Sequence, residues 1–320
     1  MIDQCSDNNR SRFSDPSSQH SLLVPTRTSN MNSNGHDSDD DVVPETQYSI
    51  SNFRYNTPFN RNDAIVHFDL NGKSFFKKVF KAFPLSKVVQ FRFTKDKLEA
   101  MLEQTKSYSF SVAMEKGIFP VYDIQSEEAV LLSMSSRLFL HIINRLKKNE
   151  DLMRFCYNGE GSDVVIDILG QGEYMSSYIP TIECTRYKRL SMLEMEKDVE
   201  VILSPTLLLR VLKHAEKSMK FIKFSFEPQT FEIVSEGKET VRVLNVMYND
   251  TSYVHRLVKL EGKVMLDYPL APLTLIQKAL RIGREVNFSI YKNGLMHITI
   301  NATDMSEYLS NFELYVVPIA

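Results

Sequence analysis

Between residues 71 and 83 the chain reads NGKSFFKKVFKAF. Wound at about 100° per residue, Phe75, Phe76, Val79, Phe80 and Phe83 share one face. Lys73, Lys77, Lys78 and Lys81 share the opposite face, and no acid interrupts them. This pattern predicts an amphipathic helix with a wholly cationic polar side. A second such helix is expected in SSRLFLHIINRLKKN, with Ser135 as its N-cap, Leu138, Phe139, Ile142, Ile143 and Leu146 inward, and Arg137, Arg145, Lys147 and Lys148 outward. The third, TLLLRVLKHAEKSM, follows Ser204-Pro205, a cap and a proline at the first helical position. It turns Leu207, Leu208, Val211, Leu212 and Met219 one way and Arg210, Lys213 and Lys217 the other. A fourth is expected over Pro272 to Arg284, with Lys278, Arg281 and Arg284 on its polar face.

Alternating or continuous apolar runs bounded by polar turns predict strands around these helices. In the first half they are Ala64 to Leu70, Val88 to Thr94, Leu98 to Leu102, Tyr108 to Met114, Ala129 to Met134, Leu152 to Tyr157 and Val164 to Leu169. In the second they are Val199 to Leu203, Phe221 to Phe226, Thr230 to Val234, Val241 to Tyr248, Val264 to Asp267, Val286 to Tyr291, Leu295 to Ile300 and Phe312 to Val317. Asn158-Gly159-Glu160-Gly161 and Asn293-Gly294 carry hairpin-turn residues. The order strand, helix, strands, strand, helix, strands thus occurs twice. The fold class is α+β, with two similar domains at 63–175 and 198–320 and a connector at 176–197. Residues 1–60 are rich in Ser, Asn and Asp, with the acidic run Asp37 to Asp41 around Ser38, and are expected to form a disordered polar tail.

Composition narrows the function classes. The chain has 320 residues, 43% of them hydrophobic, enough for real cores, and a net charge of −2. Cys5, Cys156 and Cys184 are scattered, which fits neither a zinc site nor a disulfide framework and suits a reducing compartment. The opening MIDQCSDNNRSRF lacks a signal-peptide core, and no apolar run nears the ~18 residues of a transmembrane helix, so no membrane role is expected.

Charge placement changes the picture more. The four helical segments hold fourteen Lys or Arg and one acid, Glu216, which leaves 24 basic and 39 acidic residues elsewhere in the chain. Four basic helices at matching places in two repeats point to one basic surface on an acidic body. Such a surface suits a phosphate backbone, because lysine and arginine release counterions there without reading bases. Neither aromatic interleaving for single strands nor helix-turn-helix or zinc-finger spacing is present. The competing reading is a solubility surface, or a contact for an acidic protein.

In this order of elements the chain resembles the PCNA-like sliding clamps over residues 63 to 320. The resemblance is carried by FDLNGKSFFKKVFKAF, VEVILSPTLLLRVLKHAEKSM, YPLAPLTLIQKALRIGREVNFSI and the closing strand LYVVPIA. Leu102-Glu103-Gln104-Thr105-Lys106 stands where the replicative homotrimer has an Asp-Ser-Ser-His-type loop. Gly117-Ile118-Phe119 and Cys156-Tyr157-Asn158-Gly159-Glu160-Gly161 are similar instead to the Rad-one-type subunit of the nine-one-one DNA-damage checkpoint clamp. The resemblance implies sheets outside, helices on the inner face, and a heterotrimeric ring with two other clamp-like subunits. It further implies loading onto duplex DNA by a clamp loader, recruitment of repair and checkpoint proteins, a nuclear location and no cofactor. Lys73, Lys77, Lys81, Arg137, Arg145, Lys148, Arg210, Lys213, Lys217, Lys278, Arg281 and Arg284 would face DNA. Met192, Leu193, Met195, Pro318 and Ile319 would border a partner-peptide groove, or else simply pack in the core.

Two rival functions remain. A replicative processivity clamp would be a homotrimer of the same fold. A DNA exonuclease would need clustered carboxylates to hold Mg²⁺. Asp69 stands alone at a strand end, and Asp163 and Asp167 lie on one strand about two pleats apart. His67, His141, His214, His255 and His297 are dispersed, so no catalytic or metal-binding set is expected.

Overall fold

The computed structural model describes residues 63–71, 75–83, 87–102, 107–146, 151–170, 174–182, 195–215, 219–237, 240–303 and 309–319. The tail expected at 1–60 lies outside them. The first half runs β1 (Val66–Asn71), α1 (Phe75–Ala82), β2 (Val88–Phe93), β3 (Lys97–Leu102), β4 (Tyr108–Glu115), β5 (Val121–Ile124), β6 (Val130–Ser135), α2 (Ser136–Arg145), β7 (Leu152–Tyr157), β8 (Val164–Leu169), β9 (Tyr174–Ile179) and β10 (Thr181–Ile182). The second runs β11 (Lys197–Leu203), α3 (Pro205–His214), β12 (Phe221–Phe226), β13 (Thr230–Glu236), β14 (Val241–Met247), β15 (Val254–Leu260), β16 (Val264–Pro269), α4 (Leu270–Leu275), α5 (Gln277–Leu280), β17 (Glu285–Tyr291), β18 (Met296–Thr303) and β19 (Leu309–Val316).

The repeat in the sequence is a repeat in topology. The set β5-β1-β7-β8-β9 forms one sheet, and its counterpart β15-β11-β17-β18-β19 occurs in the same order. The set β6-β2-β3-β4 likewise matches β16-β12-β13-β14. The halves are joined where β4 pairs antiparallel with β19, from Tyr108 opposite Val316 to Met114 opposite Ser310. That junction makes one ten-stranded sheet, β10-β6-β2-β3-β4-β19-β18-β17-β11-β15. Phe110 and Phe312 stack across it at 6.3 Å.

Phenylalanine dominates the core of the first half. Phe68 on β1 stacks on Phe155 of β7 at 4.5 Å and meets Phe119 edge-on at 5.2 Å. Phe76 and Phe80, from the apolar face of α1, pack on each other at 4.4 Å, and Phe80 meets Phe139 of α2 at 5.1 Å. These rings are nearly or fully buried, so each contributes a few kcal/mol of apolar transfer, of order 1.5–3.

Several expected boundaries shift. Strand β9 runs four residues beyond the expected domain end at 175, and β10 pairs with Met134 and Ser133 inside the stretch expected as connector. The single helix expected over Pro272 to Arg284 is two short ones beginning at Leu270 and separated at Ile276. Pro272 is tolerated in the first turn, where its missing N–H has no intrahelical partner. Thr274 Oγ1 donates to the Ala271 carbonyl, and this competes with the helical pattern. The chain then leaves α5 at Gly283, where a Cβ would run into Ile300 Cγ2, so Arg284 lies beyond the helix. Helices α2 and α3 end at Arg145 and His214 because Leu146 and Ala215 are extended. Ser135 caps α2 as expected, accepting from Leu138 N–H, and Ser204-Pro205 opens α3.

The buried Tyr268 on β16 donates its hydroxyl to the Gly294 carbonyl at 2.6 Å. Burial pushes its pKa above the ordinary 10.0. A raised folded-state pKa means that stability present below pH 10.0 declines as pH rises further, because the unfolded chain releases this proton first. Tyr268→Phe should lower unfolding free energy by about 1 kcal/mol at pH 8. The gap to the parent should narrow between roughly pH 9.5 and 11. Urea titrations across that range check this, and a gap that stays constant with pH would contradict the assignment.

Candidate functional site

The helices lie side by side in the order α2, α1, α5, α3, with α1 touching α5 across the two halves. Their apolar faces close on the sheets: α2 on β2, β6 and β9, α4 on β12, and α5 on β18. The outward faces carry Lys78 and Lys81 on α1, Arg137 and Arg145 on α2, Arg210 and Lys213 on α3, and Lys278 on α5, all exposed. Arg281 and Arg284 continue the exposed series just after α5. Among the described residues, no Asp or Glu occurs in α1 to α5. An acid in a helix's first turn ordinarily gains about 0.3–1 kcal/mol from the dipole, so helix stability alone would not empty all these positions.

Not every expected cation is free to meet a ligand. Lys77 is half-buried and donates its ammonium to the Leu146 carbonyl at the C-terminus of α2. Burial, and then the neighbouring charge of Lys81, lower its pKa, while Asp151 opposes them. Lys77 therefore fastens α1 to α2. Arg210 donates to the Tyr253 hydroxyl at 2.8 Å, and Arg145 lies 3.4 Å from Met175 Sδ, yet both remain exposed. Lys73, Lys148 and Lys217 lie outside the described residues. The second half has its own tie, Gln277 Nε2 to the Leu212 carbonyl at 3.1 Å, together with Arg242 of β14 donating to the His214 carbonyl. Neither tie was anticipated, because both join residues far apart in sequence.

Around the Asn293-Gly294 turn the structure gathers three expected groove residues. Met195 lies against Asn293, Pro318 packs beside Gly294, and Ile319 N–H bonds to the Asp267 carbonyl at 2.8 Å. Met195 and Ile319 are exposed. Met192 and Leu193 lie outside the described residues. Met265, exposed on β16, and Leu266, beside Gly294, are additions that the sequence pattern did not single out.

Two of the three carboxylates considered for metal chemistry, Asp69 and Asp167, are engaged with the protein. Asp69 receives two hydrogen bonds from Arg154, at 3.1 and 3.3 Å, and His67 Nε2 lies 3.3 Å away. The hydrogen bond to Asp69 holds the Arg154 guanidinium further into its charged form. Asp167 is fully buried and accepts from the Tyr174 hydroxyl at 2.9 Å. Among the described residues no three His, Cys, Asp or Glu converge.

Two strand edges are a further feature. In the repeat β14 corresponds to β4, and β9 to β19. Within the chain β4 and β19 pair, whereas among the described residues β9 and β14 end their sheets. On β14, Val241, Val243 and Met247 are 61%, 57% and 53% exposed, and Tyr174 and Tyr178 are exposed on β9. The alternation of β14 was legible in the sequence, but its position at an edge was not.

Residues 70–301 match the family model described as repair protein Rad1/Rec1/Rad17. Among solved structures the chain is similar to Proliferating Cellular Nuclear Antigen from Entamoeba histolytica, with a TM-score of 0.63 at 11% identity over 80% of this chain and 100% of that one. It is also similar to the PCNA2-PCNA3 complex from Sulfolobus tokodaii, with a TM-score of 0.62 at 12% identity over 79% of this chain and 98% of that one. No curated protein sequence gives a significant match.

Lys77→Met keeps the aliphatic stem but leaves the Leu146 carbonyl without its cationic donor, and should cost about 1–2 kcal/mol of unfolding free energy. Lys278→Met, on the exposed face, should change stability by less than about 0.5 kcal/mol. Denaturant midpoints compare the two, and equal effects would return Lys77 to the free surface.

Proposed function

The chain belongs to the Rad1/Rec1/Rad17 family of repair proteins and has the PCNA-like clamp fold, and from that premise we propose that it is one non-catalytic subunit of a ring that encircles duplex DNA. It works without reading sequence, in the nucleus, at sites of damage. There it supports checkpoint signalling and the recruitment of repair proteins after a clamp loader has placed it. The observation that carries this reading is the acid-free row of helices with exposed Arg137, Arg145, Lys213, Lys278 and Arg281. A cationic face of that kind binds phosphates electrostatically and leaves base edges unread.

Ring assembly rests on the two strand edges. The pairing that β4 makes with β19 inside the chain is available between chains to β14 and β9. Repeated contacts of that kind are head-to-tail, and they close when the rotation allows. A bare apolar edge such as β14 is otherwise an aggregation hazard. The Sulfolobus tokodaii relative is a complex of two differently named clamp chains, which favours a heterotrimer over a self-sufficient homotrimer.

Two experiments test this reading. First, native mass spectrometry of the chain alone should give a monomer, and addition of two different clamp-like partners should give a 1:1:1 complex. Val241→Lys with Val243→Lys should remove one partner and keep the other. A homotrimer from the chain alone would favour the replicative clamp instead. Second, in the assembled ring, Arg137, Arg145, Lys213 and Arg281 changed together to Ala should weaken retention on DNA. The slope of log affinity against log salt should fall by about one for each phosphate that is no longer neutralised. An unchanged slope would remove these residues from the DNA surface.

A further inference from the structure

Helix α3 stands at one end of the basic row, and its backbone is fastened at both ends. At its start the Ser204 N–H donates to the Tyr253 carbonyl at 2.9 Å. In a capping box a Glu or Gln at the third helical position would accept from that N–H, but Leu207 stands there, and the Tyr253 carbonyl takes the place. At its finish the Leu212 carbonyl accepts from Gln277, and the His214 carbonyl accepts from Arg242. The helix is thus a fixed platform, and what remains to be set is the direction of its side chains.

Tyr253 is itself held. It closes a tight turn, in which its own N–H and that of Val254 both donate to the Asp250 carbonyl, at 3.1 and 2.8 Å. The Asp250 carboxylate accepts from Ser252 N–H at 3.0 Å, the local bond that suits aspartate to turns. Asn249, Thr251 and Ser252 are exposed, but the Tyr253 ring is half-buried against the core. From this anchored ring the hydroxyl accepts from Arg210 Nη1 at 2.8 Å. Arg210 lies six residues beyond Ser204, about 9 Å along the helix. Helical side chains lean toward the N-terminus, so Arg210 is inclined toward the turn from the outset.

The acceptor is neutral, so the guanidinium keeps its full charge while its position is fixed. At the other end of the row Arg145 meets Met175 Sδ and His141 Nε2, each at 3.4 Å. A thioether is a weak acceptor, and neither contact matches the 2.8 Å bond of Arg210.

We infer that Tyr253 is a positioning residue for the DNA-facing row. Its hydroxyl holds the Arg210 guanidinium in place and leaves the other N–H donors of that group for a phosphate. Ordering a long side chain on binding ordinarily weakens an interface, and here the ordering precedes the ligand. Tyr253 acts through Arg210 and adds no charge of its own. This inference rests on the DNA-encircling reading and names a residue outside the helices that serves it.

The test uses the ring assembled with its two clamp-like partners and a fluorescein-labelled duplex with blocked ends, across a salt series. Tyr253→Phe keeps the ring and the backbone bonds of the turn. It should weaken retention by about two- to fivefold and leave the slope of log affinity against log salt unchanged, because no charge is lost. Arg210→Ala should lower that slope by about one. In the Arg210→Ala background Tyr253→Phe should have no further effect, which separates positioning from a general loosening of the turn. Equal retention by the parent and Tyr253→Phe would overturn this inference alone, as would a loss of the same size in the Arg210→Ala background. A parent ring that does not retain the duplex would overturn the encircling reading and this inference together.

Discussion

The architecture depends on one antiparallel pairing, that of β4 with β19. Seven consecutive residue pairs hold it in register, from Tyr108 with Val316 to Met114 with Ser310. Because side chains alternate faces along a strand, this register puts Phe110, Val112, Phe312 and Leu314 on the core side together, and all four are fully buried. A slip of one residue would turn that set outward. The same pairing brings the two halves' helices level, so that α1 meets α5 and the four basic segments form one row rather than two separate pairs. The basic surface is therefore a consequence of sheet register, and no helix could form it alone.

The charge on that row has two physical origins, and they separate cleanly. Lys81, Arg145, Lys213 and Lys278 stand in last turns, where a cation opposes the exposed carbonyl end of the dipole. Helix stability accounts for these. It does not account for first turns without a single acid in α1, α2, α3, α4 and α5. An acid at each would have stabilised its helix by a few tenths of a kcal/mol or more. Helix stability therefore explains the cations of the last turns but not the acid-free first turns.

Much of the fold was legible because its central strands and helices bury one face. β7, β8 and β12 have the boundaries that the pattern predicts, with apolar residues inward. What the pattern missed lies at sheet edges. β9 reads YMSSYI and β15 reads VHRLVKL, and both are largely half-buried or exposed, so selection for alternation is weak. The site was less legible than the fold for a different reason. The lysine periodicity of α1 put Lys77 on the charged face correctly, but its hydrogen bond to Leu146 joins residues 69 apart. Spacing along one helix carries no information about such a partner. The break of the fourth helical segment at Ile276 likewise depends on a local hydroxyl bond and on the close approach of Gly283 to Ile300.

The sheet edges are guarded unequally. Proline cannot donate to a ladder, and Pro180 and Pro318 stand where each half's last strand hands over to the segment that covers β6 or β16. Those edges are covered at least in part by the chain itself. On β14 the ordinary guard, a charged side chain on the edge, has been withdrawn. Its single charged residue is Arg242, and that guanidinium turns to the His214 carbonyl at the end of α3. Val241, Val243 and Met247 are left outward with no charge among them. A monomer under selection to stay one would keep the arginine on the edge. Here the arginine serves the helix row, and among the described residues β14 ends its sheet with apolar side chains exposed.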